Sequence, residues 1–194
     1  MGRLKWSMIH LLPIAKKLGY TPLLFSYSSR HSNISDIAID LENFIKQKIP
    51  ENSNLNFLTH SLGSIITQRF LRNNYKYYQN IKTVFLGPPL KGSKVAKFAS
   101  KYKFFNWYFG SPLMELSDFK QIEIVGYSAC VIAGTLSNKY SLSPIYNEPN
   151  DTLVGLSETY IDGVYQHHIV RCVHAVLMYH PGVLKIAFNF LKNS

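Results

Sequence analysis

Ser61 lies in the stretch Leu58-Thr59-His60-Ser61-Leu62-Gly63, and a serine so placed can act as a nucleophile if the chain turns sharply around it. Residues 55–58 read as a short buried strand, and the apolar positions 62, 65, 66 and 70 share one face of a helix. Strand, serine and helix in that order form a nucleophile elbow. The tight turn lifts the hydroxyl clear of the sheet and aims the next backbone N–H, that of Leu62, at a substrate oxygen. His60-Ser61-Leu62-Gly63 supplies four of the five positions of G-x-S-x-G, and Thr59 replaces the first glycine. A Ser-Gly turn without chemistry would show the same S-x-G; the strand before it and the helix after it favour the elbow.

A serine hydroxyl is a weak nucleophile until a base takes its proton, and the base must be held in one tautomer by a carboxylate. For an elbow serine the partners follow along the chain as acid, then histidine. The later histidines are His167, His168, His174 and His180, and the acids late enough are Glu148, Asp151, Glu158 and Asp162. Glu148-Pro149-Asn150-Asp151 is a turn-rich loop after the apolar run 129–134, whereas Asp162-Gly163 follows a further strand expected over 154–161. His174 precedes Pro181 by seven residues, next to the last helix. His180-Pro181 reads as a cap for that helix, and His167-His168 as loop surface. Order and placement thus select Ser61, Asp151 and His174. Singly, each has a plain alternative: an aspartate in a turn is usually a turn former, and a lone histidine is usually packed or exposed.

Other chemistries find no support. Nothing resembles a phosphate-cradling loop or a Cys/His zinc set, so neither a cofactor nor a metal is expected. Cys130 and Cys172 are too few for a disulfide framework, and Cys130 in its apolar run reads as reduced core packing. At 194 residues and 46% hydrophobic content, one domain is the simplest organisation. No unbroken apolar leader opens the chain and no run is long enough to span a bilayer, so the cytosol is the placement expected.

The net charge of +10 raises the question of an anionic partner. Residues 91–109 hold Lys91, Lys94, Lys97, Lys101 and Lys103 without an acid, interleaved with Phe98, Tyr102, Phe104, Phe105, Trp107, Tyr108 and Phe109. Lysines beside aromatic rings suit an anionic lipid surface or single-stranded nucleic acid. A helical flap with packed rings and solvated lysines explains them more simply. The partners expected are a small-molecule or lipid ester substrate and a peripheral membrane contact through 91–109, with no nucleic acid.

The elements that must position the trio alternate. A helix over 6–18, shortened or kinked by Pro13, is followed by an apolar strand at 22–27 and a helix from Ile34 stopped by Pro50. The elbow comes next, then strands at 81–86, 129–134 and 154–161, and a helix over 183–191 opened by Pro181-Gly182. Strands separated by helices imply a mostly parallel sheet with helices on both faces. Ligands of such sheets bind beyond the carboxyl ends of the strands, where Ser61 falls.

Four segments carry a family resemblance. LNFLTHSLGSIITQRFL resembles the elbow and helix of bacterial lipase- and esterase-like α/β-hydrolases. IKTVFLGPPLKGSKVA resembles their next strand and its Pro-Pro-x-x-Gly-Ser loop, and SACVIAGT with NEPNDTLVGLSETYIDG their acid-bearing region. VHAVLMYHPGVLKIAFNFL matches their histidine loop and last helix in spacing. The resemblance covers the chain from about residue 20 onward. It implies an α/β-hydrolase fold, an ester-hydrolysing triad of Ser61, Asp151 and His174, and a small helical cap over about 90–120. In relatives an earlier strand ends in a His-Gly motif that provides the first oxyanion N–H. Here Met1-Gly2-Arg3 resembles the residues just after that motif, so an N-terminally truncated sheet is expected, with the absent strand between those near Leu23 and Phe57. The leading expectation is a carboxylic ester hydrolase. Its rivals are a non-catalytic remnant and a lipid-surface-binding module on the same fold.

Overall fold

The computed structural model describes residues 5–27, 33–99, 115–116, 123–136, 145–163 and 166–192. A 3₁₀ turn over Lys5–Met8 leads into α1 (Leu11–Lys17). Pro13 stands in the first turn of α1, where its missing N–H has no intrahelical partner to lose, so it delays the helix and does not kink it.

Helix α2 (Ile34–Lys48) begins at Asn33, whose side chain accepts the Asp36 N–H at 2.8 Å. Ile34, Ile37, Ala38, Leu41 and Ile45 form its buried stripe. Then follow β1 (Asn54–His60), α3 (Leu62–Asn74), β2 (Gln79–Leu86), the short α4 (Lys94–Ala99), β3 (Ser128–Gly134), β4 (Gln166–Val170) and α5 (Pro181–Lys192).

The strands form one parallel sheet in the order β1-β2-β3-β4. Alternation along the central strands feeds two cores. Ile81 and Phe85 of β2 with Ala129 and Val131 of β3 join the stripes of α2 and α3. Val84, Leu86, Cys130 and Ile132 join Leu177, Met178, Val183 and Ala187 on the opposite face. Two-sided burial is what a parallel crossover sheet requires, and it explains why these strands read as continuous apolar runs. Burial pushes the Cys130 thiol up to about 12, which keeps it an inert packing group.

Three expectations require correction. Residues 22–27 form no strand. Phe25 instead spends its apolar surface on α2, its ring centroid 5.4 Å from that of Phe44. Residues 154–161 are not a strand either. After a single bridge between Asn150 and Gly155 the chain enters a 3₁₀ turn, Leu156–Thr159. Carboxylates bind the backbone there: Gly155 N–H donates to Glu158 at 2.8 Å and Ser157 N–H to Glu148 at 2.8 Å, leaving less for a ladder to satisfy. The fourth strand is Gln166–Val170, so His167 and His168 lie on a strand and not on a loop.

Of the basic aromatic segment, residues 91–99, with α4, belong to the described residues, and 100–109 lie outside them. The same holds for most of the cap expected over 90–120, although Leu116 is buried in the core and its carbonyl accepts the Ser93 N–H at 3.2 Å. Among the described residues no helix is long and apolar enough to cross a membrane.

Candidate active site

Because the four strands among the described residues run the same way, their carboxyl ends share one edge, and the candidate residues collect there. The β1–α3 turn places Ser61 at φ 55°, ψ −125°, a conformation that a residue with a Cβ rarely adopts. Such backbone costs about 1–3 kcal/mol and persists only where its surroundings over-determine it. The surroundings do so: Ser61 N–H donates to Leu86 O at 2.9 Å, carrying the β1–β2 pairing one residue past the strand. Leu62 is the first residue of α3, so its N–H has no intrahelical acceptor and stands at the positive end of the helix dipole. Thr59, where the motif has glycine, places its hydroxyl 3.1 Å from Ser64 Oγ in the first turn of α3, which gives this departure a structural use.

Asp151 is held in the loop between β3 and β4. Its Oδ1 accepts the N–H groups of Leu153 and Val154 at 3.0 and 2.7 Å. Its Oδ2 is 2.7 Å from Nδ1 of His174, the first residue of a 3₁₀ turn, His174–Tyr179. The backbones are tied as well, His174 N–H donating to Asp151 O at 2.7 Å. Asp151 is 1% exposed and His174 2%. At that depth an ionised carboxylate needs its remaining oxygen satisfied, which the two Asp151 Oδ1 bonds achieve. A carboxylate only accepts, so the shared hydrogen sits on Nδ1 and Nε2 keeps its lone pair.

Two glycines make room for this pair. A Cβ on Gly87, whose φ is +53°, would come within 2.9 Å of Asp151 Oδ2, 3.0 Å of His174 Nδ1 and 2.8 Å of Leu177 Cδ1. At Gly134, the end of β3, a Cβ would lie 2.6 Å from Cys172 O and 2.8 Å from Asp151 Cβ. The acid loop is framed by two further carboxylates. Glu148 accepts from Ser157 Oγ and from Lys94 Nζ, at 2.7 and 2.6 Å. Glu158, buried, accepts Tyr146 Oη at 2.6 Å as well as the N–H groups of Gly155 and Lys94. Burial pushes the Glu158 carboxyl up, against the pull of those hydrogen bonds.

The structure therefore joins Asp151 to His174 directly. No hydrogen bond joins Ser61 Oγ to His174 among the described residues; the serine meets the pair through its neighbour His60, whose ring centroid is 4.5 Å from that of His174. The other candidates serve elsewhere. His180 Nδ1 accepts the Val183 N–H at 3.4 Å and caps α5, as the sequence implies. His167 Nε2 lies 2.9 Å from Thr159 Oγ1, and Asp162 stands in a turn. Sequence reasoning missed the roles of His60, Gly87, Gly134, Glu148 and Glu158. Gly87 and Gly134 each end an apolar run, which marks a strand end but not the need for glycine there.

Comparison with protein-family models and with curated protein sequences gives no match. Solved structures do match. The mature form of the Bacillus licheniformis lipase BlEst2 superposes with a TM-score of 0.75 at 14% identity, over 98% of this chain and 88% of that one. An extracellular α/β-hydrolase from a Paenibacillus species aligns at 0.59 and 15% identity, covering 95% and 94% of the two chains. A thermophilic esterase aligns at 0.55 and 16% identity, over 86% and 76%. With strands all parallel, helices on both faces and a strained serine turn at the carboxyl edge, the chain has the α/β-hydrolase fold.

Proposed function

We propose that this chain is a serine hydrolase that cleaves carboxylic esters through an acyl-enzyme. The observation that carries the reading is the buried Asp151–His174 pair, formed on the same sheet edge as the strained turn of Ser61. Neither feature serves packing cheaply, and together they are what an activated serine requires.

In the first half-reaction Ser61 Oγ attacks the ester carbonyl while His174 Nε2 takes the hydroxyl proton. Asp151 holds the imidazole in the Nδ1–H tautomer and stabilises its charged form. The carbonyl oxygen becomes an oxyanion facing the Leu62 N–H. Collapse of the tetrahedral adduct breaks the ester C–O bond, and His174 returns the proton to the leaving alkoxide oxygen. A water then attacks the acyl-enzyme with the same base, releasing the acid and restoring Ser61. One oxyanion donor of this kind is typically worth about 2.7–4 kcal/mol in the transition state. No metal or cofactor enters the scheme.

The aromatic, lysine-rich segment 91–109 favours esters with an apolar acyl group or a lipid surface. Two cysteines, both buried and unpaired, suit a reducing compartment such as the cytosol. Hydrolysis of p-nitrophenyl esters of graded acyl length by the purified chain tests the assignment. Turnover that disappears in Ser61→Ala supports it, and turnover that survives the substitution refutes Ser61 as the nucleophile.

A further inference from the structure

We propose that His60, the residue before the nucleophile, is a positioning residue for the general base, a role that rests on the reading of Ser61 and His174 given above. β1 and β4 occupy opposite ends of the four-strand order. Parallel neighbours lie about 4.8 Å apart, so Ser61 and the exit of β4 are separated by roughly 14 Å of sheet. His174 follows only four residues after Val170, the last of β4. The 3₁₀ turn that carries it must therefore reach back over the carboxyl edge, and something must hold it beside the serine.

His60 makes that connection. It is the last residue of β1, and its ring is buried. Its Nε2 lies 2.9 Å from the carbonyl oxygen of His174. A carbonyl can only accept, so Nε2 bears the proton and donates it. The two rings meet at 4.5 Å between centroids and 48° between planes, so His60 also walls one side of the imidazole. One side chain thus fixes the main chain of His174 and limits how its ring can tilt. From the other side Asp151 holds the same residue by Nδ1 and by its backbone N–H. With the N–H and C=O of His174 both engaged and Nδ1 occupied, Nε2 is the one polar atom of that residue without a hydrogen bond among the described residues. His60 touches neither a proton in transit nor the developing oxyanion. Its contribution is to keep the base within reach of the serine, and a small misplacement of a catalytic group is costly in rate.

The test compares His60→Phe and His60→Gln with the unsubstituted chain. Phenylalanine keeps a ring against His174 but donates nothing; glutamine restores an N–H at similar reach. Loss of one buried hydrogen bond at this position predicts kcat about tenfold lower in His60→Phe with KM unchanged. His60→Gln should recover most of that loss. A raised KM with kcat intact would make His60 a substrate contact, and equal kcat in all three chains would make it packing; either overturns the proposal. Solution NMR gives a readout that does not depend on turnover. The Nδ1–H proton of His174 should be observable in the unsubstituted chain and in His60→Gln, and broadened by exchange in His60→Phe. An equally sharp signal in His60→Phe refutes the positioning role even if ester hydrolysis stands. Absence of Ser61-dependent turnover in every chain would defeat the enzyme reading and leave the NMR comparison to decide this one. Should His60→Phe not fold by circular dichroism, His60→Leu, smaller and equally without a donor, takes its place with the same expectations.

Discussion

Asp151 and His174 are joined twice: Nδ1 of the histidine lies 2.7 Å from Oδ2 of the aspartate, and the histidine N–H donates to the aspartate carbonyl at the same distance. The acid therefore orients the base through side chain and main chain together. Asp151→Asn separates the two contributions. Asparagine keeps an oxygen for the Leu153 and Val154 N–H groups, but its amide N–H₂ would face Nδ1 and drive the proton to Nε2. The predicted result is a folded chain whose kcat falls by about 10⁴, the order seen when an orienting aspartate in such a triad becomes asparagine. Ester kinetics beside a thermal unfolding curve check both halves.

Gly87→Ala tests the space beneath the pair. The added methyl meets Leu177 Cδ1, Asp151 Oδ2 and His174 Nδ1 at 2.8–3.0 Å, on a backbone at φ +53°. Strain and overpacking together should lower stability by about 1–3 kcal/mol, and kcat should fall because the pair must move. Denaturant unfolding and kcat measured on the same preparation decide it; a variant with both unchanged would show that the site is looser than the distances imply.

The same glycine shows where sequence reading stops. The elbow was legible because its evidence is local: a strand pattern, a serine and a helical stripe within a dozen residues. His174 and Asp151 were legible by order along the chain. The need for Gly87 and Gly134 arises from atoms far away in sequence, Asp151, Cys172, His174 and Leu177, which no local pattern reveals. Strand β4 was missed because Gln166-His167-His168-Ile169-Val170 lies at the end of the sheet, with no residue fully buried and hence no apolar run. The opposite error occurred at 22–27 and 154–161. Apolar content there reports packing against α2 and around the Glu158 turn, and strand formation also needs a partner ladder.

His167 predicts a pH dependence of stability. Burial holds its pKa below the usual 6.5, with the neighbouring His168 adding to the shift. A depressed folded-state pKa means that the unfolded chain binds the proton more readily. The contribution is present above 6.5 and is lost as pH falls from there through the lower folded value. Unfolding free energy should therefore decline on that acid limb, and His167→Gln, which keeps an N–H for Thr159 Oγ1, should flatten it. Denaturant titrations of both chains across the window provide the comparison. An unchanged slope would assign the decline to other groups.

Everything proposed for this site depends on Ser61 being an activated nucleophile. A fluorophosphonate probe, followed by mass spectrometry of the modified peptide, reads this most directly. The purified chain should be labelled at Ser61, with labelling absent in Ser61→Ala and strongly slowed in His174→Ala. A folded chain that takes up no probe, or takes it up equally without the Ser61 hydroxyl, would contradict it.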